Sequence, residues 1–320
     1  MNYMEFEKEI TRKFAKKRIP LRGNFELTGR CNFNCKMCYV HTKPNSEFLK
    51  TERDGKWWVA QIDAACDRGM LFALLTGGEC LMHPDFKEIY LHLRSKGVYT
   101  YINTNGFLLT PNNVEFLSQN PPMEIQITLY GSDNDSYEKV TGVRAFDQVD
   151  AAISRVLEAG LNIRIAITPN AYAPEDAVKI IEYCKERNVS YSINQAMFTP
   201  YDQEEVQKIS DNEVDVDMQI QYYKAMRGHD IVDTSDIVLP KVGGDKCEPV
   251  QGLRCSAGTT SFMITADGYM QPCYSMHHLR VPIQTTADFG TTWEQMLKIS
   301  SEYLIPVECE GCAYRKACFV

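Results

Sequence analysis

The sequence predicts an α/β protein: a parallel sheet of six strands interleaved with helices, followed by a small cysteine-rich module built on a β-hairpin. Three observations carry this expectation. From residue 23 to residue 198 short apolar runs alternate with segments of helical period, the pattern of parallel strands joined by right-handed crossovers. Nine of the twelve cysteines gather near the two ends of the chain. Near the second group, Asp267-Gly268 separates two β-rich runs and predicts a type I′ hairpin turn.

In chain order, "GNFELT" reads as the first strand and "WWVAQIDAACDRGM" as a helix. "LFALLT" is the second strand. "HPDFKEIYLHLRSKG" is a helix with Pro84 near its start and Gly97 at its end. "VYTYINTNG" is a strand ending in turn residues, "TPNNVEFLSQ" a short helix, and "MEIQITLYG" a strand. "FDQVDAAISRVLEAG" is a helix closed by Gly160, "LNIRIAITPN" a strand, "PEDAVKIIEYCKERN" a helix and "VSYSINQAMF" the sixth strand. The strands look like mixed apolar runs, as when both faces of a sheet are covered. Six such units make either an open doubly wound sheet or an incomplete barrel. Residues 1–22 form a basic segment with Lys8, Arg12, Lys13, Lys16, Lys17, Arg18 and Arg22, and 199–246 an acidic connector holding one helix. Residues 247–320 form the cysteine-rich module, with "TTSFMITADGYMQPC" as its hairpin and "TTWEQMLKIS" as a short helix.

Bulk properties exclude several functions. A formal net charge of −8 argues against a general nucleic-acid surface. No apolar run approaches the roughly 18 residues of a membrane span, and the start has no apolar core of a secretory signal. The expected location is the cytoplasm, where thiols stay reduced, so the cysteines suggest metal rather than disulfides. Cys66 and Cys184, inside helical patterns, read as small buried side chains.

"TGRCNFNCKMCYVH" places Cys31, Cys35 and Cys38 at C-x3-C-x2-C in the loop after the first strand. Active residues of parallel α/β sheets collect beyond the strand carboxyl ends. Three thiolates on a four-iron cluster leave one iron free for a small molecule, whereas a purely structural metal site takes four protein ligands. This motif, together with "TGGEC" (Thr76 to Cys80) ending the second strand, resembles radical S-adenosylmethionine (radical SAM) enzymes.

The resemblance implies a partial (β/α)6 barrel over residues 23–198 and a [4Fe-4S] cluster on Cys31, Cys35 and Cys38. It implies S-adenosylmethionine on the open iron, reductive cleavage to a 5′-deoxyadenosyl radical, and hydrogen abstraction from an unreactive C–H. Gly77, Gly78 and Glu79 are expected at the methionine amino group, and Met37 or Tyr39 on the adenine. Asn103, Asn105 and Thr128 are candidates for ribose or carboxylate, and Arg144 for the carboxylate. Where relatives carry proline after the glycine-glycine-glutamate motif this chain has Cys80.

The later pattern, Cys255-x12-Gly268-x4-Cys273 then Cys309-x2-Cys312-x5-Cys318, resembles the SPASM/twitch extension of the same superfamily. It implies at least one auxiliary [4Fe-4S] cluster on Cys255, Cys273, Cys309 and Cys312, with Cys318 and Cys247 in reserve. Zinc is the alternative occupant of the same four thiols. Extensions of this kind point to a peptide or protein substrate, including a ribosomal precursor peptide, modified by crosslinking, oxidation or epimerisation. Cys80 and Cys318 are then candidate hydrogen donors. An external reductant such as flavodoxin or ferredoxin is implied. The alternatives are a radical oxidase of a small metabolite and a non-catalytic metal-binding protein.

Overall fold

Arg22–Glu26 (β1) is the strand from which the sheet grows in both directions. On one side follow Phe72–Thr76 (β2), Tyr99–Thr104 (β3), Glu124–Leu129 (β4), Ile163–Ile167 (β5) and Ser190–Ile193 (β6), each parallel to its neighbour. On the other side Ser261–Ile264 (β7) pairs parallel to β1, and Tyr269–Gln271 (β8) and Val281–Pro282 (β9) continue antiparallel. The hairpin of the cysteine-rich module is therefore not a separate sheet. This computed structural model describes residues 3–40, 42, 46–194, 216–227, 255–285 and 288–303.

The crossovers are Gly55–Asp67 (α2), Phe86–Ser95 (α3), Pro111–Gln119 (α4), Asn134–Thr141 (α5), Phe146–Glu158 (α6) and Asp176–Glu186 (α7), after a first helix Tyr3–Lys17 (α1). Their ends follow local chemistry. Asp54 accepts from the Trp57 amide to cap α2, and Thr110 accepts from Asn113 to cap α4. Gly97 and Gly160 end α3 and α6 at φ 70° and 68°, where a β-carbon is strained. Helix α5 is absent from the reading above, yet its signals are in the sequence. Asp133 and Ser136 form a capping box, and Gly142 stops the helix at φ 75°.

The strands also differ from the expectation of two apolar faces. In β4, Ile125, Ile127 and Leu129 are buried, while Glu124, Gln126 and Thr128 between them are only partly so. Gln126 and Thr128, with Asn103 of β3, line a cavity on the other side of the sheet. Residues at or just beyond the ends of β2 to β6 line that same cavity, so the sheet curls into an open barrel whose lumen carries amides and hydroxyls among apolar side chains. Period-two alternation survives because only the outer face meets helices.

Phe25 of β1 joins the modules through edge-on contacts with Trp58 of α2 (6.1 Å between ring centroids) and Phe262 of β7 (5.9 Å). Phe262 in turn meets Phe289 and Trp293 of the helix Phe289–Glu302. All five rings of this aromatic chain are nearly solvent-free, and each such ring contributes about 1.5–3 kcal/mol by burial.

The hairpin turn departs from type I′, which needs two left-handed residues. Only Gly268 is left-handed, at φ 87°. The loop spans Thr265 to Gly268 because the Thr265 hydroxyl accepts from the Tyr269 amide and the Thr265 amide donates to the Tyr269 carbonyl. Cys184 is buried as expected, whereas Cys66 is only half-buried. The connector helix Val216–Arg227 lies against α7. Among the described residues no helix is long and apolar enough to cross a membrane.

Candidate functional site

The hydrogen-bond ladder between β1 and β2 does not stop where the strands do. The Leu27 amide donates to the Thr76 carbonyl, Gly78 to Thr28 at 2.8 Å, and Glu79 to Arg30 at 2.8 Å. This brings two loops into backbone contact. A β-carbon on Gly77 would lie 2.4 Å from the Thr28 carbonyl oxygen, and one on Gly78 2.4 Å from that of Arg30. Only glycine permits this approach. From the other side the Glu52 carboxylate accepts from the Thr28 hydroxyl (2.6 Å) and the Gly29 amide (2.8 Å), and pairs with Arg30 at 3.1 Å. Residues 28–30 are thus clamped immediately before Cys31.

Beyond the clamp the cysteine loop is tied to α5, with the Asn34 amide donating to Thr141 and that of Lys36 to Val140. A tight turn, Cys38 amide to Cys35 carbonyl at 3.1 Å, brings the last two thiols together. The Cys31 sulfur accepts from the Phe33 amide (3.4 Å) and from Asn105 Nδ2 (3.7 Å). Asn105 Nδ2 also donates to Asn32 Oδ1 at 2.8 Å. Desolvation is the main force raising the Cys31 and Cys35 thiols above the ordinary range. The neighbouring thiols add to it, and so does Glu79 at Cys31. A metal that binds these thiols must displace their protons.

Cys31, Cys35 and Cys38 open onto one cavity of about 310 Å³. Met37, Tyr39, Gly77, Gly78, Asn103, Asn105 and Thr128 line it too, as the sequence suggests they should. Its described lining contains no Asp, Glu, Lys or Arg. One flank is aromatic, with Phe33, Tyr39 and Tyr274, and the strand ends opposite offer amides and hydroxyls.

Three expected residues are not brought to it. Glu79 is 1% exposed, and its carboxylate accepts from the Thr104 hydroxyl (2.8 and 2.9 Å), the Asn105 amide (2.8 Å) and the Leu81 amide (3.1 Å). It ties the end of β3 to the end of β2 rather than facing the lumen; burial is the main cause that raises its pKa. Cys80 is fully buried and its thiol donates to the Asn103 carbonyl at 3.3 Å, so it is a packing residue and no donor to the cavity. Arg144 lies on the outer surface, paired with Asp135 and Glu138. Arg144→Ala is accordingly expected to leave affinity for S-adenosylmethionine within about twofold and stability within about 0.5 kcal/mol. Anaerobic titration calorimetry and thermal denaturation check both.

The structure adds lining residues that the reading above lacks. Gln126 and Tyr130 flank Thr128 at period two and were accessible by that rule. Thr168 and Asn194 follow β5 and β6 at the same face. Tyr130 is partly buried beside Cys35, and burial is the main cause that raises its phenol well above the usual range. Tyr274 had no local signal, since the long-range pairing of β7 with β1 delivers it. Cys255 and Cys273 lie on the two sides of the hairpin, close enough for Cys255 to raise the Cys273 pKa, although desolvation is the larger cause. Cys309, Cys312, Cys318 and Cys247 lie outside the described residues.

Among the described residues no three His, Cys, Asp or Glu side chains are arranged around a single metal ion. An iron–sulfur cluster makes a different demand, because each thiolate takes its own iron. Soft sulfur donors, amide donors to one of those sulfurs and an adjoining uncharged cavity fit such a cluster with a small cofactor beside it.

Comparison with known proteins agrees. Residues 25–170 match the Radical SAM superfamily. The sporulation killing factor maturation protein SkfB of Bacillus subtilis is 25% identical over 262 residues, covering 80% of this chain, which spans only 60% of that protein. The AdoMet-dependent heme synthase of Methanosarcina barkeri is 25% identical over 319 residues, covering 92% of this chain and 88% of that protein. In fold, the chain matches over its whole length the crystal structure of Streptococcus suis SuiB bound to precursor peptide SuiA, at TM-score 0.67 and 18% identity, spanning 77% of that chain. With the cysteine loop, the glycine cradle and the curled parallel sheet in place, residues 25–170 form a domain of the radical SAM superfamily.

Proposed function

We propose that this radical SAM enzyme modifies a peptide or protein, and that residues 23–198 perform the chemistry while residues 247–320 hold an auxiliary [4Fe-4S] cluster. The observation that carries the reading is the uncharged cavity with three thiols on its rim. Cys31, Cys35 and Cys38 hold the first cluster. Bound there, the cluster and S-adenosylmethionine supply one-electron cleavage of a carbon–sulfur bond and abstraction of a substrate hydrogen.

The chain's own residues bind, orient and exclude water. Met37 and Tyr39 pack against the nucleoside. Asn103, Asn105, Gln126 and Thr128 offer hydrogen bonds to its hydroxyls and to the substrate. The backbone at Gly77 and Gly78, which lines the cavity, would meet the methionine end. Asn105 also donates to the Cys31 sulfur, and hydrogen bonds to ligand sulfurs tune a cluster's potential. Cys255 and Cys273 supply two ligands of the auxiliary cluster, with Cys309, Cys312 or Cys318 completing it. A peptide is favoured because SkfB is a maturation protein and the SuiB structure holds a precursor peptide. The likeness to a heme synthase over nearly the whole chain supports a second reading, oxidation of a small metabolite.

Anaerobic incubation of the reconstituted chain with reductant, S-adenosylmethionine and any short peptide found encoded beside its gene separates the two. A peptide that loses a hydrogen pair, or gains deuterium from deuterated water, is the expected result. An unaltered peptide, with 5′-deoxyadenosine formation stimulated by a metabolite fraction instead, favours the second.

A further inference from the structure

Tyrosine follows cysteine at two places in this chain, Cys38-Tyr39 and Cys273-Tyr274. One pair sits on the front loop and the other just after the hairpin, 235 residues further along. Their rings meet edge to face, 5.5 Å between centroids at 76°, and both line the front cavity.

The Tyr274 side is held firmly. Strand β7 is registered against β1, Arg22 opposite Ser261 and Phe25 opposite Ile264. Gln271, fully buried, donates through Nε2 to the Cys273 carbonyl at 3.1 Å, and the Met276 amide donates to the same oxygen. The Tyr274 hydroxyl is buried beside Glu26 at the end of β1 and Thr76 at the end of β2. The Tyr39 side hangs on a loop. Its neighbour Cys38 is fixed by the turn to Cys35, and beyond Val40 the Thr42 and Phe48 side chains lie against Gly29, ahead of the Glu52 clamp on Thr28 and Gly29.

We propose that Tyr274 is a positioning residue. The back module supplies it as a buttress for Tyr39, and through Tyr39 for the loop that aims the Cys38 sulfur. The inference rests on the reading that Cys31, Cys35 and Cys38 hold a cluster. It gives the back module a role at the front site beyond carrying metal. An edge-to-face pair resists displacement of either ring, and losing it removes one restraint on Tyr39 and, through Tyr39, on Cys38.

The test uses the reconstituted full-length chain. Iron leaving the front cluster is timed with a ferrous chelator, that cluster being the fraction absent from Cys35→Ala. The reduced cluster's electron paramagnetic resonance spectrum is recorded alongside. Tyr274→Ala is expected to release front iron about three- to tenfold faster, the range one aromatic pair commands, and to alter the spectrum. Tyr274→Phe keeps the ring and should behave as the parent. Tyr39→Ala should match Tyr274→Ala, and the double variant should be no worse than either single one.

Parent-like release and an unchanged spectrum in Tyr274→Ala would overturn the proposal. If that variant fails to fold, a parent-like Tyr39→Ala overturns it equally. Should Cys35→Ala lose no iron, the front-cluster reading itself falls, an outcome distinct from the other two.

Discussion

Cys35→Ala is expected to remove about four irons per chain and to lower 5′-deoxyadenosine formation more than a hundredfold. Loss of an outer-shell partner typically costs a metal site ten- to a hundredfold, and a direct ligand should cost more. Of the three thiols Cys35 is the buried one, 7% exposed and beside the Tyr130 side chain, so no solvent molecule easily replaces it. The substitution itself removes little packing, about 1 kcal/mol. Cys184→Ala is the matched control. That cysteine is also buried, but in α7, away from the cavity. It should show a similar small loss in thermal stability with iron content and product formation intact. Iron analysis and chromatography of the nucleoside products read both variants. If Cys35→Ala keeps its iron and still makes 5′-deoxyadenosine, the front-site assignment is wrong.

Much of the barrel was legible because each crossover unit announces itself locally. The strand runs, the helix periods and the closing glycines lie within a few residues of each other, and Gly97 and Gly160 end helices where expected. The cysteine loop was legible for the same reason, since its spacing is a local fact. What escaped depends on distance or on side-chain direction. Nothing near residue 261 says that β7 will pair with β1, so Tyr274 could not be placed in the front cavity from sequence. Glu79 was assigned to the cofactor by its motif. Its carboxylate is instead taken up by donors at the end of β3, some 25 residues away in sequence. Arg144 shows the converse error, a residue of suitable chemistry whose local partners, Asp135 and Glu138, hold it at the surface.

The glycine cradle is the other place where one substitution should have a large effect. In Gly78→Ala the new β-carbon would meet the Arg30 carbonyl oxygen at 2.4 Å and its carbon at 2.8 Å. These are backbone atoms, so no rotamer change relieves the clash, and the loops must separate. Separation breaks the Gly78-to-Thr28 and Glu79-to-Arg30 hydrogen bonds together. It also pulls against the Glu52 clamp on the same three residues. Two lost hydrogen bonds and the overpacking suggest a cost of about 2–4 kcal/mol. Gly97→Ala separates this from ordinary backbone strain. Gly97 has φ 70° but nothing within 4 Å of the added carbon, so only the left-handed conformation is penalised, about 1 kcal/mol. Denaturant unfolding of the two variants should therefore rank Gly78→Ala well below Gly97→Ala. Only the former should also lose iron from the front site, because Arg30 leads directly into Cys31. Equal stability losses with equal iron contents would mean that the two glycines serve backbone conformation alone and that the cradle does not set the cysteine loop.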